Sequence, residues 1–372
     1  MAEIPNKHSF GGYIRDLRIG RCLGQRELAR TVGVSASYLN DIEKNKRPAP
    51  RIEIVKALAQ TLDADSEIIN DLAGISKDVL PPDVEEFIGD KRELISLLRL
   101  IKAYNLSGDD ILELGKFMTS SNAKAIVIAA GLGSRLKGYT EELPKCMLKF
   151  GEKTLLERQV DTYRECGIKN ISVIRGYKKE KINYPDLRYY ENSDFENNNI
   201  LNSLFYAEEE LCGNVVVAYS DIMFDAAVVR RLLEAQADIS IVVDIDWQGY
   251  YVGRNDHPIE EAENVIFNAN NEVVKIGKIL TEKDDVHGEF IGMLKLSPRG
   301  AEILKRHFHR AKKMFWDKPY QRAKVFQKAY ITDIIQDMVD LGVPVHCVII
   351  ERGWREIDTV EDYEKALKEF EA

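Results

Sequence analysis

The feature that most constrains this chain is a short apolar run that leads into a glycine-containing turn. Residues 125–129 read Ala-Ile-Val-Ile-Ala, which is the composition of a buried strand, and residues 130–135 follow as Ala-Gly-Leu-Gly-Ser-Arg. Pro144 and Lys145 come shortly after this turn. Glycines let backbone N–H groups approach phosphate oxygens, and a nearby arginine and lysine add positive charge. The segment therefore predicts a site for a phosphate-rich ligand at the end of a strand.

The segment differs from two common phosphate-binding motifs. It lacks the third glycine of the dinucleotide-binding fingerprint and the Gly-Lys-Ser/Thr end of the P-loop. A plain strand-to-helix turn with basic surface residues is the alternative. The combination of strand, glycine turn, Arg135 and Pro144-Lys145 favours the ligand site.

Strand-like and helix-like segments alternate through the rest of the second part of the chain. Apolar runs that predict further strands lie at 171–174, 215–218, 239–243 and 345–350. Helices are predicted over 155–166 and 360–370. This alternation indicates an α/β fold, with a mostly parallel, Rossmann-like sheet and helices on both faces. The predicted domains are 1–75 (all-α), 76–121 (helical linker) and 122–372 (α/β).

Two aspartates follow predicted strands of this sheet. Asp221 comes just after the run 215–218, and Asp358 follows the last strand. The carboxyl ends of strands are where open α/β sheets bind ligands, and two carboxylates there can hold Mg²⁺ beside phosphate oxygens. The alternative is that each aspartate only caps a helix. Together with the glycine turn, the pair favours a magnesium site.

These features resemble the nucleotidyltransferases that join a nucleoside triphosphate to a phosphate-bearing acceptor. The resemblance implies that catalysis depends on Arg135 and Lys145, with Mg²⁺ held by Asp221 and Asp358. The nucleotide-binding residues that it implies are Ala129, Ala130, Gly131, Gly133, Ser134, Arg135 and Tyr219.

Several inner segments resemble a narrower group, the cytidylyltransferases that load phosphonates such as 2-aminoethylphosphonate, and their phosphocholine relatives. These segments include Leu156-Glu-Arg-Gln, the run 175–180, Asn198-Asn199-Ile200 and Gly288-Glu-Phe-Ile-Gly. The resemblance implies transfer of CMP from CTP to a small phosphonate. Cations, amides and acids are the groups expected to hold such an acceptor and its ammonium tail. The candidates are Lys145, Arg175, Lys178, Asn198, Asn199, Asp246, Arg254 and Glu289.

Each of those candidates has a plainer interpretation. The run 175–180 can be a solvated strand end, Asn198 and Asn199 can cap a helix, and the acids can be capped groups beside core aromatics. Two other functions also stay open for the whole chain. One is a nucleotidyltransferase for phosphocholine or for a sugar or alditol phosphate, and the other is a transcriptional regulator whose enzyme domain only senses a nucleotide. A bifunctional protein, an enzyme that also regulates its own transcription, is compatible with both parts of the chain.

The first part of the chain has the pattern of a helix-turn-helix. In residues 25–43, Leu28-Ala29 suits close packing of two helices, Gly33 suits the turn, and Ser35 suits the start of the second helix. The stretch resembles the Cro/repressor type of DNA-binding domain, which usually works as a dimer. The resemblance implies DNA contacts by Gln25, Ser35, Ser37, Asn40 and Lys44. The alternative is a protein-interaction module without DNA affinity.

Charge and composition agree with this division. The chain has a net charge of −9, yet residues 1–56 hold eleven Lys and Arg against six Asp and Glu. A basic head on an acidic body favours a nucleic-acid partner for the head only. The five cysteines form no C-x-x-C pair, and the sequence has neither a signal peptide nor a membrane-length apolar stretch. These observations predict a cytoplasmic protein without a membrane partner, and the helix-turn-helix resemblance implies that it acts as a homodimer.

Overall fold

A computed structural model describes residues 9–21, 23–89, 91–108, 110–111, 123–252, 254–278 and 286–371. The chain divides into two compact units, 1–111 and 112–372. Residues 112–121 of the predicted linker lie outside the described residues. No described helix combines the length and the apolar character that crossing a membrane requires.

Within its described residues, the first unit consists of helices joined by turns and loops, without strands. Its helices are α1 (Phe10–Gly20), α2 (Gln25–Thr31), α3 (Ala36–Glu43), α4 (Ile52–Thr61), α5 (Ser66–Lys77), α6 (Pro82–Gly89) and α7 (Arg92–Ala103). Leu28 of α2, Leu39 of α3 and Leu58 of α4 are fully buried in one core. The small residue Ala29 is also buried, as close packing of α2 on α3 requires.

The turn between α2 and α3 forms as its sequence predicts. Gly33 has φ of 76°, a left-handed conformation that residues with a Cβ rarely adopt. Ser35 then caps α3, because its side-chain oxygen accepts a hydrogen bond from the backbone N–H of Tyr38 at 3.1 Å. The helix-turn-helix geometry therefore follows from these two residues.

The second unit is built on a nine-stranded sheet. Its strands are β1 (Lys124–Ala129), β4 (Asn170–Arg175), β5 (Arg188–Glu191), β6 (Val215–Tyr219), β8 (Ile239–Asp244), β9 (Glu263–Phe267), β10 (Val273–Lys278), β11 (Gly288–Leu296) and β12 (His346–Ile350). The pairs β1–β4, β4–β5, β1–β6 and β8–β12 are parallel. Strand β11 runs antiparallel between β6 and β8, and it also meets β9, which pairs with β10. The predicted α/β class with a mostly parallel sheet is confirmed.

Two short ribbons complete the strands of this unit. One joins β2 (Lys149–Phe150) to β3 (Lys153–Thr154), and the other joins β7 (Ile222–Phe224) to β13 (Trp354–Glu356). The second ribbon begins one residue after Asp221 and ends two residues before Asp358. It therefore ties the two candidate metal ligands together.

Helices cover both faces of the sheet. They are α8 (Leu155–Glu165), α9 (Ile200–Leu204), α10 (Ala226–Glu234), α11 (Pro298–Phe315), α12 (Ile331–Asp340) and α13 (Val360–Glu371). Alternate residues of β1 enter two different cores: Ile126 and Ile128 lie in one, Ala125 and Val127 in the other. A strand that is buried on both faces has no polar alternation, which explains its continuous apolar sequence.

Candidate functional site

The glycine turn lines a cavity of about 420 Å³ at the carboxyl ends of β1 and β6. Every residue predicted to bind the nucleotide lines it: Ala129, Ala130, Gly131, Gly133, Ser134, Arg135 and Tyr219. Lys145, Asp221 and Asp358 line the same cavity. The structure thus brings together residues that lie more than 200 positions apart in the chain.

Gly133 gives this turn its shape. Its φ is 62°, and a Cβ at this position would lie 3.1 Å from the Cβ of Lys145. Thr140 fixes the turn from the other side, since its hydroxyl donates a hydrogen bond to the carbonyl of Gly133 at 2.9 Å. The close approach of the loop to Lys145 therefore requires glycine.

Gly176 supports the turn from the end of β4. A Cβ there would lie 2.7 Å from the carbonyl oxygen of Ala130, and the backbone N–H of Tyr177 donates to that same oxygen at 3.1 Å. Part of the Arg-Gly-Tyr run therefore holds the loop next to the cavity, a role that the sequence interpretation missed.

Lys145 sits between the two candidate metal ligands. Its Nζ lies 2.9 Å from Asp221 Oδ2 and also contacts Asp358 Oδ1. Burial by itself lowers the pKa of Lys145, but Asp221 and Asp358 outweigh burial and raise this pKa. Burial likewise opposes ionisation of Asp358, yet Lys145 and Arg135 hold its pKa at about 2. Lys145 and Asp358 are therefore both charged at neutral pH.

The chemistry of the two carboxylates fits a hard cation. Asp221 Oδ1 is buried and has no hydrogen-bond partner within the described part of the chain. Carboxylate oxygens are the preferred ligands of Mg²⁺, which usually binds one or two of them together with substrate phosphates. Asp221 and Asp358 therefore form a plausible pair of ligands.

Arg135 and His257 flank Asp358. The Arg135 guanidinium contacts Asp358 Oδ2 and pairs with Glu261 at 2.6 Å. His257 Nδ1 lies 3.4 Å from Asp358 Oδ2. Burial and the neighbouring Arg254 lower the pKa of His257 to about 4, so this ring is neutral at physiological pH.

A second cavity of about 250 Å³ adjoins the first at Tyr219, Asp221 and Asp358. Besides these residues, it is lined by four glutamates: Glu261, Glu263, Glu289 and Glu356. Cationic side chains on its wall are Arg135 and Lys278. The cavity beside the candidate metal ligands therefore has more carboxyl groups than cationic side chains on its wall.

Glu289 is buried in the wall of this cavity, with 4% of its surface exposed. The hydroxyl of Tyr251 donates to its Oε1, while its buried Oε2 has no partner among the described residues. Burial raises the pKa of Glu289 to about 8 and that of Glu263 to about 7. A bound cation would favour the ionised form of both groups.

Arg254 lies beside this pocket instead of lining it. It is 6% exposed, and its guanidinium donates to both oxygens of Asp362 at 2.8 and 2.9 Å. The same group reaches Glu356 at 3.3 Å and His257 Nδ1 at 3.1 Å. These contacts hold the guanidinium inside the protein, while its buried Nη1 has no hydrogen-bond partner among the described residues. A role of Arg254 in binding the acceptor stays a prediction.

Three further predicted acceptor ligands lie outside both cavities. Arg175 donates to the carbonyl of Ile182 at 2.8 Å, Lys178 pairs with Glu142 at 3.0 Å, and Asp246 is exposed. The side chain of Arg175 stacks on Tyr189 at the end of β4. The lining of the two cavities therefore gives no support to an acceptor role for these residues, which stays a prediction. A charged residue near a strand end can equally serve the loop that follows the strand.

The two asparagines line the nucleotide cavity. Asn198 exchanges hydrogen bonds with Asn192 at 2.9 and 3.0 Å, and Asn199 Oδ1 caps α9 by accepting from Ile200 N at 2.9 Å. Asn199 also lines the second cavity. Both the ligand and the capping interpretations of Asn199 are therefore compatible with its position.

In the first unit, the predicted DNA contacts lie on or beside α3. Ser35 and Ser37 are exposed, Asn40 is half-buried, and Lys44 is exposed at the end of the helix. Residues 37, 40 and 44 are spaced to share one face of a helix. Gln25 donates to Glu43 at 2.9 Å.

Glu43 is an internal group and not a surface acid. It is 5% exposed, and Arg18 donates to its two oxygens at 2.7 and 2.8 Å. Its negative charge is therefore neutralised inside the unit, and it does not oppose a polyanion at the α3 surface.

The structure also identifies site residues that sequence reasoning did not name. Glu263, Lys278 and Tyr330 line the acidic cavity, and Lys328 lines the nucleotide cavity. The position of Glu356, two residues before Asp358 at the end of a strand, could have indicated from the sequence that it lies near the site. The others come from β9, β10 and the approach to α12, which show no motif.

Comparison with known protein families identifies a nucleotidyltransferase domain in this chain. Residues 125–281 match the family model of the MobA-like NTP transferase domain, and residues 9–72 match a helix-turn-helix domain model. The chain therefore carries a nucleotidyltransferase domain behind a helix-turn-helix domain.

Curated relatives place the domain in the cytidylyltransferase type. The chain is 27% identical over 256 residues to the CTP:phosphoglutamine cytidylyltransferase of Campylobacter jejuni, which covers 66% of this chain and 99% of the relative. It is 36% identical over 105 residues to the choline-phosphate cytidylyltransferase of Streptococcus pneumoniae (27% of this chain, 46% of the relative). It is 30% identical over 101 residues to the 2-aminoethylphosphonate cytidylyltransferase of Lancefieldella rimae (26% of this chain, 41% of the relative).

Solved structures agree on the fold. The inositol-1-phosphate CTP transferase from T. maritima is similar with a TM-score of 0.52 and 21% identity, over 67% of this chain and 96% of that one. The CTP:phosphocholine cytidylyltransferase from Streptococcus pneumoniae gives a TM-score of 0.50 at 23% identity, over 66% and 98%.

Proposed function

We propose that this protein transfers CMP from CTP to a small phosphonate, or a similar phosphate ester, whose tail carries an ammonium group. The observation that carries the proposal is the acidic cavity beside Asp221 and Asp358, with the unpartnered oxygen of Glu289 on its wall. A sugar phosphate offers only hydroxyl groups to this wall, whereas an ammonium group would pair with the ionised form of Glu289 and favour that form. Three relatives named above are cytidylyltransferases for phosphorylated or phosphonate acceptors with nitrogen-containing tails.

The reaction is an in-line displacement at the α-phosphorus of CTP. An oxygen of the acceptor phosphonate forms a bond to this phosphorus, while the bond to the oxygen that bridges to the β-phosphate breaks. The electron pair leaves with pyrophosphate. Catalysis of this type depends on positioning and on positive charge around the transferred group, with no covalent enzyme intermediate.

The chain's own residues have separate tasks in this proposal. Backbone N–H groups of the loop at Gly131 and Gly133 bind the triphosphate, and Arg135 supports the leaving phosphates. Lys145 neutralises charge between donor and acceptor, since it already lies between the two aspartates. Asp221 and Asp358 are the residues that would hold Mg²⁺, which supplies charge neutralisation for the phosphates when bound.

Pyrophosphate release from CTP, UTP, ATP and GTP against a panel of acceptors tests the proposal. The panel contains 2-aminoethylphosphonate, phosphocholine, methylphosphonate and glucose 1-phosphate. We expect the highest kcat/KM for CTP with an ammonium-bearing acceptor, and a larger loss for that acceptor than for methylphosphonate in Glu289→Gln. Equal rates with glucose 1-phosphate, or equal losses for the two acceptors in Glu289→Gln, would contradict it.

We further propose that the helix-turn-helix unit binds DNA through α3, as two copies on two half-sites. The support is the exposed face of Ser37, Asn40 and Lys44, together with the internal neutralisation of Glu43 by Arg18. Fluorescence anisotropy with DNA duplexes taken from the region upstream of the coding sequence of this protein tests the proposal. We expect Asn40→Ala to weaken binding while leaving pyrophosphate release unchanged. Absence of any salt-dependent binding by the full chain would overturn the DNA proposal and leave the enzyme proposal intact.

A further inference from the structure

A glutamine interrupts the buried, otherwise apolar face of helix α8. Among the buried side chains of this helix, Leu156, Gln159, Val160 and Tyr163 have the spacing of one helical face. The three apolar members of this set pack into the core under the sheet, and Gln159 is only 1% exposed. An amide inside a core costs free energy unless its polar atoms are paired, so its hydrogen bonds have to account for it.

Both donors of this amide go to a single turn. Nε2 of Gln159 donates to the carbonyl of Tyr219, the last residue of β6, at 2.9 Å, and to the carbonyl of Ile222, the first residue of β7, at 2.6 Å. Ser220 and Asp221 are the two residues between them. Carbonyl oxygens only accept hydrogen bonds, so the amide nitrogen, and not the amide oxygen, has to face the turn. Gln159 therefore clamps both ends of the turn that carries Asp221.

The same turn is held by the ribbon of β7 and β13. The carbonyl of Asp221 accepts a hydrogen bond from the backbone N–H of Ile357 at 2.8 Å. The backbone around Asp221 is thus fixed both from the ribbon and from helix α8. With the backbone held in this way, the Asp221 side chain lines the nucleotide cavity, and its Oδ2 lies 2.9 Å from Lys145 Nζ.

The oxygen of the Gln159 amide gains nothing from its position. Oε1 is buried and has no hydrogen-bond partner among the described residues. A buried carbonyl oxygen without a partner destabilises the fold. An apolar side chain such as methionine would fill this face of α8 without that cost. The two donors are therefore the chemical reason for a glutamine here.

We propose that Gln159 is a positioning residue for Asp221 and, through Asp221, for Mg²⁺. By holding the carbonyls of Tyr219 and Ile222, Gln159 fixes the direction in which the Asp221 carboxylate enters the cavity. Removing a group that orients a metal ligand commonly lowers metal affinity or activity by about 10–100-fold. This inference rests on the proposed function, because it takes Asp221 as a ligand of Mg²⁺ in the transfer reaction.

Gln159→Met in the full chain tests the inference, since methionine fills similar space and has no donor. We expect the Mg²⁺ concentration for half-maximal pyrophosphate release to rise at least about tenfold. The Tm shift caused by Mg²⁺ without substrates should become smaller. Gln336→Met is the matched control, because Gln336 is a buried glutamine of α12 that accepts from the backbone N–H of Ile276, which lines neither active-site cavity. This control should lose stability and keep the Mg²⁺ requirement of the natural chain.

A double-mutant cycle with Asp221→Asn separates positioning of Asp221 from a general packing effect. Once the Asp221 carboxylate is gone, Gln159→Met should reduce the Mg²⁺-induced Tm shift no further. If Gln159→Met does not fold, Gln159→Glu keeps the shape of the amide with at most one donor, and it should raise the Mg²⁺ requirement in the same direction.

Two results would overturn the inference and leave the proposed function intact. One is a Mg²⁺ requirement in the Gln159 variant equal to that of the natural chain. The other is an equal reduction of the Mg²⁺-induced Tm shift by Gln159→Met with and without Asp221→Asn. A natural chain whose turnover needs no Mg²⁺ would overturn both this inference and the metal assignment in the proposed function.

Discussion

Arg254 gives the sharpest test of how the site is held together. This buried guanidinium bonds to both oxygens of Asp362, to Glu356 and to His257, and it stacks on Tyr250 at 4.5 Å. Asp362 in turn accepts the backbone N–H groups of Asp358 and Thr359, at 3.2 and 2.9 Å. The arginine therefore positions the segment that carries one candidate metal ligand.

Replacing Arg254 by methionine keeps the volume and removes the charge. Two carboxylates, Asp362 and Glu356, would then lose their shared cation, and Asp362 is as buried as Arg254. Breaking a buried ion pair on one side costs about 3–5 kcal/mol, because the other charge stays uncompensated. We expect a loss of this size in the free energy of unfolding of the second unit, and a smaller loss in Arg254→Met/Asp362→Asn.

Denaturant titration followed by tryptophan fluorescence measures this loss. The three tryptophans of the chain, Trp247, Trp316 and Trp354, all belong to residues 112–372, so their signal reports that unit alone. Arg306→Met is the matched control, since Arg306 is exposed and forms no ion pair within the described residues, and it should change stability by less than about 0.5 kcal/mol. An Arg254→Met protein within about 1 kcal/mol of the natural chain would refute the network.

Three other perturbations follow from the site. Lys145→Met should abolish pyrophosphate release, and it should increase the Tm shift caused by Mg²⁺ because Asp221 and Asp358 lose their cationic partner. Lys153→Met is the control, since Lys153 pairs with Asp161 instead. Retained turnover or an unchanged Mg²⁺ shift in Lys145→Met would contradict the assignment. In the natural chain, folding raises the pKa of Glu289 to about 8, so the unfolded carboxyl ionises at lower pH than the folded one and the fold loses stability as pH rises from about 4.5 to 8. Glu289→Gln removes this loss, so the free energy of unfolding of the variant should exceed that of the natural chain by an amount that grows over this pH range. The groups that act on the Glu289 carboxyl are Tyr251, Arg254, Asp244 and Glu263. Denaturant titration at pH 5 and pH 8.5 measures the stability difference between the variant and the natural chain. An equal difference at the two pH values would contradict the prediction. Gly133→Ala should cost about 1–2 kcal/mol in unfolding free energy and lower turnover, because a Cβ at φ of 62° is strained and presses on Lys145; a change below about 0.5 kcal/mol would show that the loop adapts.

Local signals in the sequence were enough to predict most of the fold. The strands β1, β4, β6, β8 and β12 are short apolar runs buried on both faces, and the turn residues Gly33 and Ser35 define the helix-turn-helix. Strands β9, β10 and β11 were not predicted. Strand β11 pairs with β6 and β8, which lie far along the chain, and β9 and β10 pair with each other at the edge of the sheet. Since strand stability depends on these neighbours, periodicity within each strand's own residues is weak evidence.

The nucleotide side of the site was likewise readable from its residues. A glycine turn needs backbone geometry that few residues allow, and aspartates at strand ends need the sheet edge, so both leave a mark in the sequence. Lys145, Asp221 and Asp358 meet in one cavity, as their positions after predicted strands and turns indicated.

The acceptor side was decided by the tertiary structure. Four charged residues suit an acceptor by their charge but do not line either cavity, because they bind internal partners or are exposed: Arg175, Lys178, Asp246 and Arg254. By contrast, the second cavity is lined by Glu263 and Lys278, which belong to no sequence motif. Which charged side chain meets a ligand depends on burial and on partners a hundred residues away, as Arg254 and Asp362 illustrate. The sequence alone thus determined most of the fold and the glycine turn, because both rest on local backbone requirements. Only the packed sheet decided which carboxylates line the second cavity, because that choice depends on contacts between distant segments.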